Sequence, residues 1–544
     1  MTSLLSPPGP DGRVGSARKW AITFSVMLVT VMQVLDTSIT NVALPHMQGS
    51  FSASIDEMSW VITSYLAANA IVIPASGWLT AVVGRRRFYL ICTFTFTASS
   101  FLSGIAPNLE FLVAMRILQG LGGGSVVPMA QAIMWEIFPL EQRGTAMAVW
   151  GVGIMMAPIL GPTAGGWIAD NWSWRWIFYI NLPIGVLAFF MVSVFLFDAP
   201  FHRRPRRVDV AGIVMMVAGF GCMQLVFDLG ERRDWFDSFL IVSLAALAVS
   251  ALTAFVIREM LAAEPILDLS IFRDRNFGVS SLAIFLVGLG FNSSLLLVAL
   301  YTQQVLGYDA WSSGLTLAPG GFGTMIALMI SGRLVSRIDQ RAMLAGGCLL
   351  QAFALWLMAG LTATMDFWSL AWPRFLQGFS QGFIFLPLQA LALGTVTTER
   401  LGNATAAYNV LRNMGGSVGV AVATTLLARR SQEHQTRLAS HVHVFSAAVD
   451  ERLREWTAHF VAQGADTYTA GRRALSMLYR ETIVQAHILA FADDFWLLLT
   501  AFMAVLVLIP FMQRVEARRA PARRRQAEPD ESRARDPGLP APAD

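Results

Sequence analysis

The stretch LDTSITNVALP, Leu35 to Pro45, decides the fold. It lies inside the first long apolar run of the chain and carries one carboxylate, Asp36. An Asp at the centre of a membrane helix costs about 2.5–3.5 kcal/mol on insertion scales, so one that is kept there is by default a functional candidate. Whether this run is a membrane helix depends on what surrounds it.

The surroundings are those of a polytopic membrane protein. The 544 residues are 55% hydrophobic and only 14% charged, with a mean hydropathy of +0.54. Soluble domains sit nearer about 25% charged. The net charge of +4 does not mark a nucleic-acid binder, because the charges cluster in short loops and tails, as membrane topology requires. Lys19 is the only lysine, which excludes a P-loop and with it an internal ATPase of that type. HExxH and CxxC are both missing, and no catalytic residue, metal site or cofactor is expected. Cys92, Cys222 and Cys348 read as small apolar residues, and His441 with His443 lacks metal-site spacing. Residues 1–18 carry no apolar signal-peptide core.

About fourteen spans follow if some 20 residues make one crossing. They fall near 19–45, 57–80, 88–106, 109–134, 145–168, 176–197, 208–228, 238–257, 277–300, 313–332, 342–361, 368–393, 404–427 and 488–512. Arginines in short loops set the orientation. Arg85 to Arg87, Arg143, Arg203, Arg204, Arg206, Arg207, Arg258, Arg273, Arg275, Arg333, Arg337, Arg341 and Arg400 share one side with both tails, against Arg175, Arg232 and Arg233 on the other. Both termini are therefore expected to be cytoplasmic. Residues 1–18 form an N-terminal tail, 19–200 a first six-helix bundle, 201–276 two inserted helices with an interfacial linker, and 277–512 a second bundle. Within it, residues 428–487 read as a polar non-cytoplasmic loop with short amphipathic helices near 453–456 and 473–479. Residues 513–544 read as a disordered tail.

The two-bundle reading rests on an internal repeat. RILQG, Arg116 to Gly120 in span 4, recurs as RFLQG, Arg374 to Gly378 in span 12. Asp36-Thr37-Ser38 aligns with Asn292-Ser293-Ser294, and the loop with Gly77, Gly84, Arg85 and Arg86 matches Gly332 to Arg341. Parallel halves with a substrate site between them are a transporter architecture. Asp36 lies nine residues before Pro45, about 14 Å below the outer face at 1.5 Å per residue. Arg116 enters from the same face to about 12 Å. Equal depth lets the two pair or share a hydrated cavity, either as a structural ion pair or as a coupling device. Burial disfavours a charged carboxylate and a guanidinium favours it, so a conformational change in either would move a proton.

Other polar and small residues mark the interior. Gly153, Pro158, Gly161, Pro162, Gly165 and Gly166 give span 5 a close-packing, bent face suited to sealing a leak path. Arg412, flanked by Asn409, either binds an anionic group or holds its helix. Asn41, Gln131, Asn292, Arg374, Gln377 and Gln381 either line a polar cavity or bond between helices.

These motifs resemble the major facilitator superfamily, and within it the fourteen-helix drug:proton antiporters of the EmrB/QacA type. LDTSITNVALP resembles their first-helix signature, RILQG the fourth-helix motif, and APILGPTAGGWI, 157–168, the antiporter motif. WRWIFYINLPIG at 174–185, PILDLSIFRDRNF at 265–277 and YNVLRNMGGSVG at 408–419 are similar to EmrB-like permeases. The resemblance implies an all-α fold of two six-helix bundles plus two inserted helices. It also implies proton-driven efflux of small amphipathic compounds across the bacterial inner membrane, with the proton gradient in place of any cofactor. Asp36 would be the proton site, Arg116 its assistant, and Gly161 with Pro162 the gate. EmrB-like permeases work with a periplasmic adaptor and an outer-membrane channel, which the 428–487 loop could contact. Two departures stand out. Ala81 replaces the usual Asp of the cytoplasmic loop motif, which puts its charge relay in doubt. Residues 313–332 lack the acid found in relatives that pump divalent cations, which favours neutral, anionic or weakly cationic cargo. The alternatives are a dedicated exporter of one metabolite, such as a siderophore, fatty acid or antibiotic, and a non-transporting scaffold or sensor.

Overall fold

In lipid every backbone N–H and C=O must be satisfied within its own segment or a closed barrel, so apolar runs of this length become helices. A computed structural model describes residues 15–198, 209–442 and 446–514, without the side chains of Ile55, Leu140, Glu141, Met156, Pro158, Ile159, Pro162, Thr163 and Ala310. The described α-helices are α1 (Ser16–Phe51), α2 (Ile55–Val83), α3 (Arg85–Gly104), α4 (Leu109–Gly123), α5 (Val126–Ile137), α6 (Leu140–Asn171), α7 (Trp176–Tyr179) and α8 (Asn181–Phe195). They continue as α9 (Val210–Leu229), α10 (Phe239–Leu261), α11 (Arg275–Gln304), α12 (Ala310–Leu334), α13 (Gln340–Ala359), α14 (Phe367–Leu393), α15 (Leu401–His441), α16 (Ala447–Ala462) and α17 (Thr467–Leu508). Twelve helices among the described residues are long and apolar enough to cross a membrane, with α4–α5 and α7–α8 each counted as one. The expected third and fifth spans, α3 and α6, are not among the twelve. α3 opens on three arginines and is rich in Thr and Ser, and α6 is rich in glycine.

Three segments depart from the sequence expectation. Span 4 is two helices, because Gly122 and Gly124 bring its backbone against Phe96 of α3 and Asn69 of α2, where a Cβ would come within 2.8 and 2.9 Å. α1 runs through Pro45 to Phe51. The 428–487 region is not mainly loop. α15 and α17 are 41 and 42 residues long, about 60 Å each, roughly twice a bilayer's hydrocarbon core. The sequence there is polar yet built of good helix formers, with Glu433 paired to Arg430 and Arg437 one turn away. α16 matches the first expected amphipathic helix, while the second is the start of α17.

Packing places the halves. In the first, α1 lies against α5, α6 and α8, and α4 against α2 and α3. In the second, α11 packs on α15 and α17, and α14 on α12 and α13. The halves meet where α6 packs on α12 and where α2 and α5 pack on α15. α9 pairs with α10 and fills the seam beside α2 and α15. Asp209 caps α9, accepting from the Gly212 N–H at 3.0 Å, and Arg258 of α10 donates to both its oxygens at 2.8 and 2.7 Å. That guanidinium holds the Asp209 carboxyl below the usual carboxylate range. Residues 1–14, 199–208 with Arg203, Arg204, Arg206 and Arg207, and 515–544 lie outside the described residues.

Candidate functional site

Asp36 and Arg116 meet. Arg116 Nη1 lies 2.6 Å from Asp36 Oδ2, and both side chains are 1% exposed. The carboxylate is further held by Gln119 Nε2 at 2.9 Å and Asn181 Nδ2 at 2.8 Å, both on Oδ1. The guanidinium also donates to Gln119 Oε1 and to the Val61 carbonyl, and lies 4.2 Å from the Tyr65 ring centroid. Helix geometry explains the grouping: Arg116 and Gln119 are three apart, on one face of α4. Burying one charge alone is costly, whereas a paired and hydrogen-bonded one is tolerated. Gln119 and Asn181 were not singled out from the sequence, although both sit inside the quoted motifs RILQG and WRWIFYINLPIG.

The second half repeats the frame without the acid. Arg374 donates to Gln377, and Gln377 donates to Ser294. Ser294 thus occupies the position of Asp36, at the same offset of 258 that relates Arg116 to Arg374. The alignment of Asp36 with Asn292 is off by two residues: Asn292 is exposed, and its side chain lies against Gly416. Arg374 Nε and both polar atoms of Gln381 are buried without a hydrogen-bond partner among the described residues. The second half does hold an acid elsewhere. Asp494 of α17 is 0% exposed, and neither carboxylate oxygen has a hydrogen-bond partner among the described residues. The sequence shows it plainly within span 14, and the repeat comparison passed over it.

The glycine face of α6 packs on the opening stretch. A Cβ on Gly165 would come within 3.2 Å of the Ile39 carbonyl, and one on Gly161 would collide with Ser38. Gly166 faces Val42. Gly153 faces Met27, further along the same helix α1. The opposite face meets the second half, with Gly144 against Gly332 and Gly151 against Leu328. The side chains of Pro158 and Pro162 lie outside the described residues.

The loop between α2 and α3 is held by ion pairs and hydrogen bonds without an Asp at position 81. Arg85 pairs with Glu136 at the end of α5 at 2.5 Å, and its Nη2 donates to the Phe197 carbonyl at 2.8 Å. The Arg86 N–H donates to Asp198 Oδ1 at 2.9 Å. Gly84 has φ +96°, which favours glycine, and a Cβ there would face the same Asp198 carboxylate. Gly77 lies against Gly402 and Asn403 of the other half.

Between the halves, Asn409 donates to Gln131 at 2.6 Å. Beside this link is a cavity with Arg412, Tyr408, Trp150, Gln389, Ile154 and Phe385 in its wall. Asn41 is exposed on α1, away from the buried network.

Comparison with known proteins agrees with this architecture. The Major Facilitator Superfamily model matches residues 26–420. The chain is 35% identical over 491 residues to the multidrug export protein EmrB of Haemophilus influenzae, covering 90% of this chain and 95% of that protein. It is 36% identical over 503 residues to the fatty acid resistance protein FarB of Neisseria gonorrhoeae, covering 92% and 96%. The solved structure of the human organic anion transporter MFSD10 shares the fold, with a TM-score of 0.57 at 14% identity, covering 89% of this chain and 99% of that one.

Proposed function

The chain belongs to the Major Facilitator Superfamily, and from that premise we propose that it is a proton-driven multidrug exporter of the bacterial inner membrane. Membership makes it a multi-pass membrane transporter. The observation that carries the coupling is the buried Asp36–Arg116 pair. The guanidinium, Gln119 and Asn181 hold the carboxylate in this conformation, and movement of α4 relative to α1 withdraws Arg116 and Gln119 from it, which is the step at which a proton is exchanged. A proton entering down 100 mV releases about 2.3 kcal/mol, enough for a roughly 50-fold substrate gradient. α6 transmits the change, because it touches α1 beside Asp36 on one face and α12 of the other half on the opposite face. The cavity beside Arg412 takes the cargo, and the Arg85–Glu136 latch holds the cytoplasmic loop. A count of fourteen spans, with α3 and α6 included and both termini cytoplasmic, completes the architecture.

The experiment is uptake by inside-out vesicles under an imposed pH gradient. Asp36→Asn should abolish accumulation against a gradient and leave downhill exchange in place. Persistent uphill transport in that variant would remove Asp36 from the coupling role. A second reading, a dedicated exporter of one metabolite, draws on the 36% identity to a protein named for fatty acid resistance. A susceptibility panel on a deletion strain separates the two, since a single-metabolite exporter alters resistance to one compound class only. The ends of α15 and α17 with α16 form the surface to which a periplasmic adaptor and, through it, an outer-membrane channel would dock.

A further inference from the structure

Arg116, Arg374 and Arg412 lie within apolar stretches of their helices, and of these three Arg116 alone has a carboxylate partner among the described residues. Arg374 is enclosed at 4% exposure and bonded to Gln377. Arg412 differs from both. It is half-buried, lines the cavity between the halves, and makes no hydrogen bond or ion pair with any described residue. No Asp or Glu lines that cavity. Two further groups in its wall, the Tyr408 hydroxyl and the Trp150 indole N–H, are also buried without a hydrogen-bond partner. The rest of the lining is largely apolar, with Ile154, Leu328 and Phe385 among it. An uncompensated guanidinium with spare donors beside it, on one side of an apolar chamber, is complementary to a ligand with a single anionic head and an apolar body.

We propose that this cavity is an organic-anion site, in which Arg412 receives the carboxylate or sulfonate of an amphipathic substrate and the apolar wall receives its body. The proposal rests on the efflux reading above and narrows its cargo. Arg412 then selects substrates by charge, and a neutral analogue of equal shape loses the guanidinium contact only.

The test uses inside-out proteoliposomes of the full chain under a pH gradient, with two fluorescent compounds of matched shape. One is 8-anilinonaphthalene-1-sulfonate, permanently anionic; the other is N-phenyl-1-naphthylamine, its uncharged parent. Wild type should take up both, with the lower KM for the sulfonate. Arg412→Gln should raise the sulfonate KM about tenfold or more, one buried charged contact at the least, while the neutral compound stays within about twofold. Arg412→Lys should keep most of the preference, which a merely structural role for the side chain would not predict. Equal effects of Arg412→Gln on the two compounds, or wild-type uptake of the neutral one alone, overturn the proposal and leave the efflux reading standing. Uphill uptake that survives Asp36→Asn overturns the coupling role instead, and uptake of neither compound by wild type overturns both. Adding phosphatidylglycerol to phosphatidylcholine liposomes should leave the sulfonate KM unchanged. A rise that Arg412→Gln removes would assign the cavity to a lipid headgroup and overturn the transported-solute proposal.

Discussion

Asp36 and Arg116 stabilise each other, so neither can be removed cleanly. Taking one partner from a buried pair leaves an uncompensated charge and costs about 3–5 kcal/mol, whereas replacing both with neutral groups is often tolerated. Asp36→Asn and Arg116→Gln should therefore each lower the thermal midpoint of the purified protein. The double variant should recover most of that loss and still fail to drive uphill transport. Size-exclusion chromatography after heating reads the stability, and vesicle uptake reads the coupling. A double variant no more stable than the worse single one would mean that the two side chains are not electrostatically linked. The pair itself was legible from the sequence, because 1.5 Å per residue converts position into depth and both charges came out at one level. Gln119 and Asn181 were not legible, since a neutral amide costs little enough in a membrane helix that its presence does not announce a partner. Glu136 was missed for a different reason: it is far in sequence from Arg85, and only the fold brings the end of α5 to the loop after α2.

At the level of elements, apolar length placed the spans well and their ends poorly. Hydropathy falls at the bilayer surface, while helix propensity does not, so α15 and α17 continue well beyond the apolar runs that revealed them. The inserted pair offers a sharper test. Asp209 caps α9 and accepts Arg258 of α10, and its carboxyl is held below the usual range by that guanidinium. Asn caps a helix about as well as Asp, so Asp209→Asn isolates the ion pair. Because the folded carboxyl is depressed, its contribution is present above the ordinary Asp value of about 3.9 and is lost as pH falls through the lower, folded value. The Arg258 side chain is 45% exposed, so solvent screening keeps the contribution small. Wild type should accordingly melt slightly above Asp209→Asn at pH 7, and the two midpoints should converge as pH drops below about 4. A gap that is unchanged across that range would mean that the carboxylate's charge contributes nothing to joining α9 and α10.

The whole molecule is closed at its arginine-rich end. There Gly77 lies against Gly402 and Asn403, and Gly144 against Gly332, each contact joining one half to the other. Asn41 and Asn292, toward the opposite end of α1 and α11, are exposed instead. Glycine at these crossings lets the backbones touch, and it also leaves no interlocking side chains to resist separation. A transporter that loads from this end must part α6 from α12. A Cβ on Gly332 would lie 2.7 Å from the Cβ of Ala148, so a small shift of the two helices brings a cysteine pair into the disulfide range of about 3.5–4.5 Å. With Cys92, Cys222 and Cys348 replaced, Ala148→Cys/Gly332→Cys should cross-link under mild oxidant. The oxidised protein should lose transport by about tenfold or more if opening here is obligatory, and reduction should restore it. Each single cysteine should transport equally well with and without the oxidant, whatever its level. Full transport by the oxidised double variant would show that the halves do not separate at this end during the cycle, and the path for cargo would then have to run beside α9 and α10, the two helices that widen the seam.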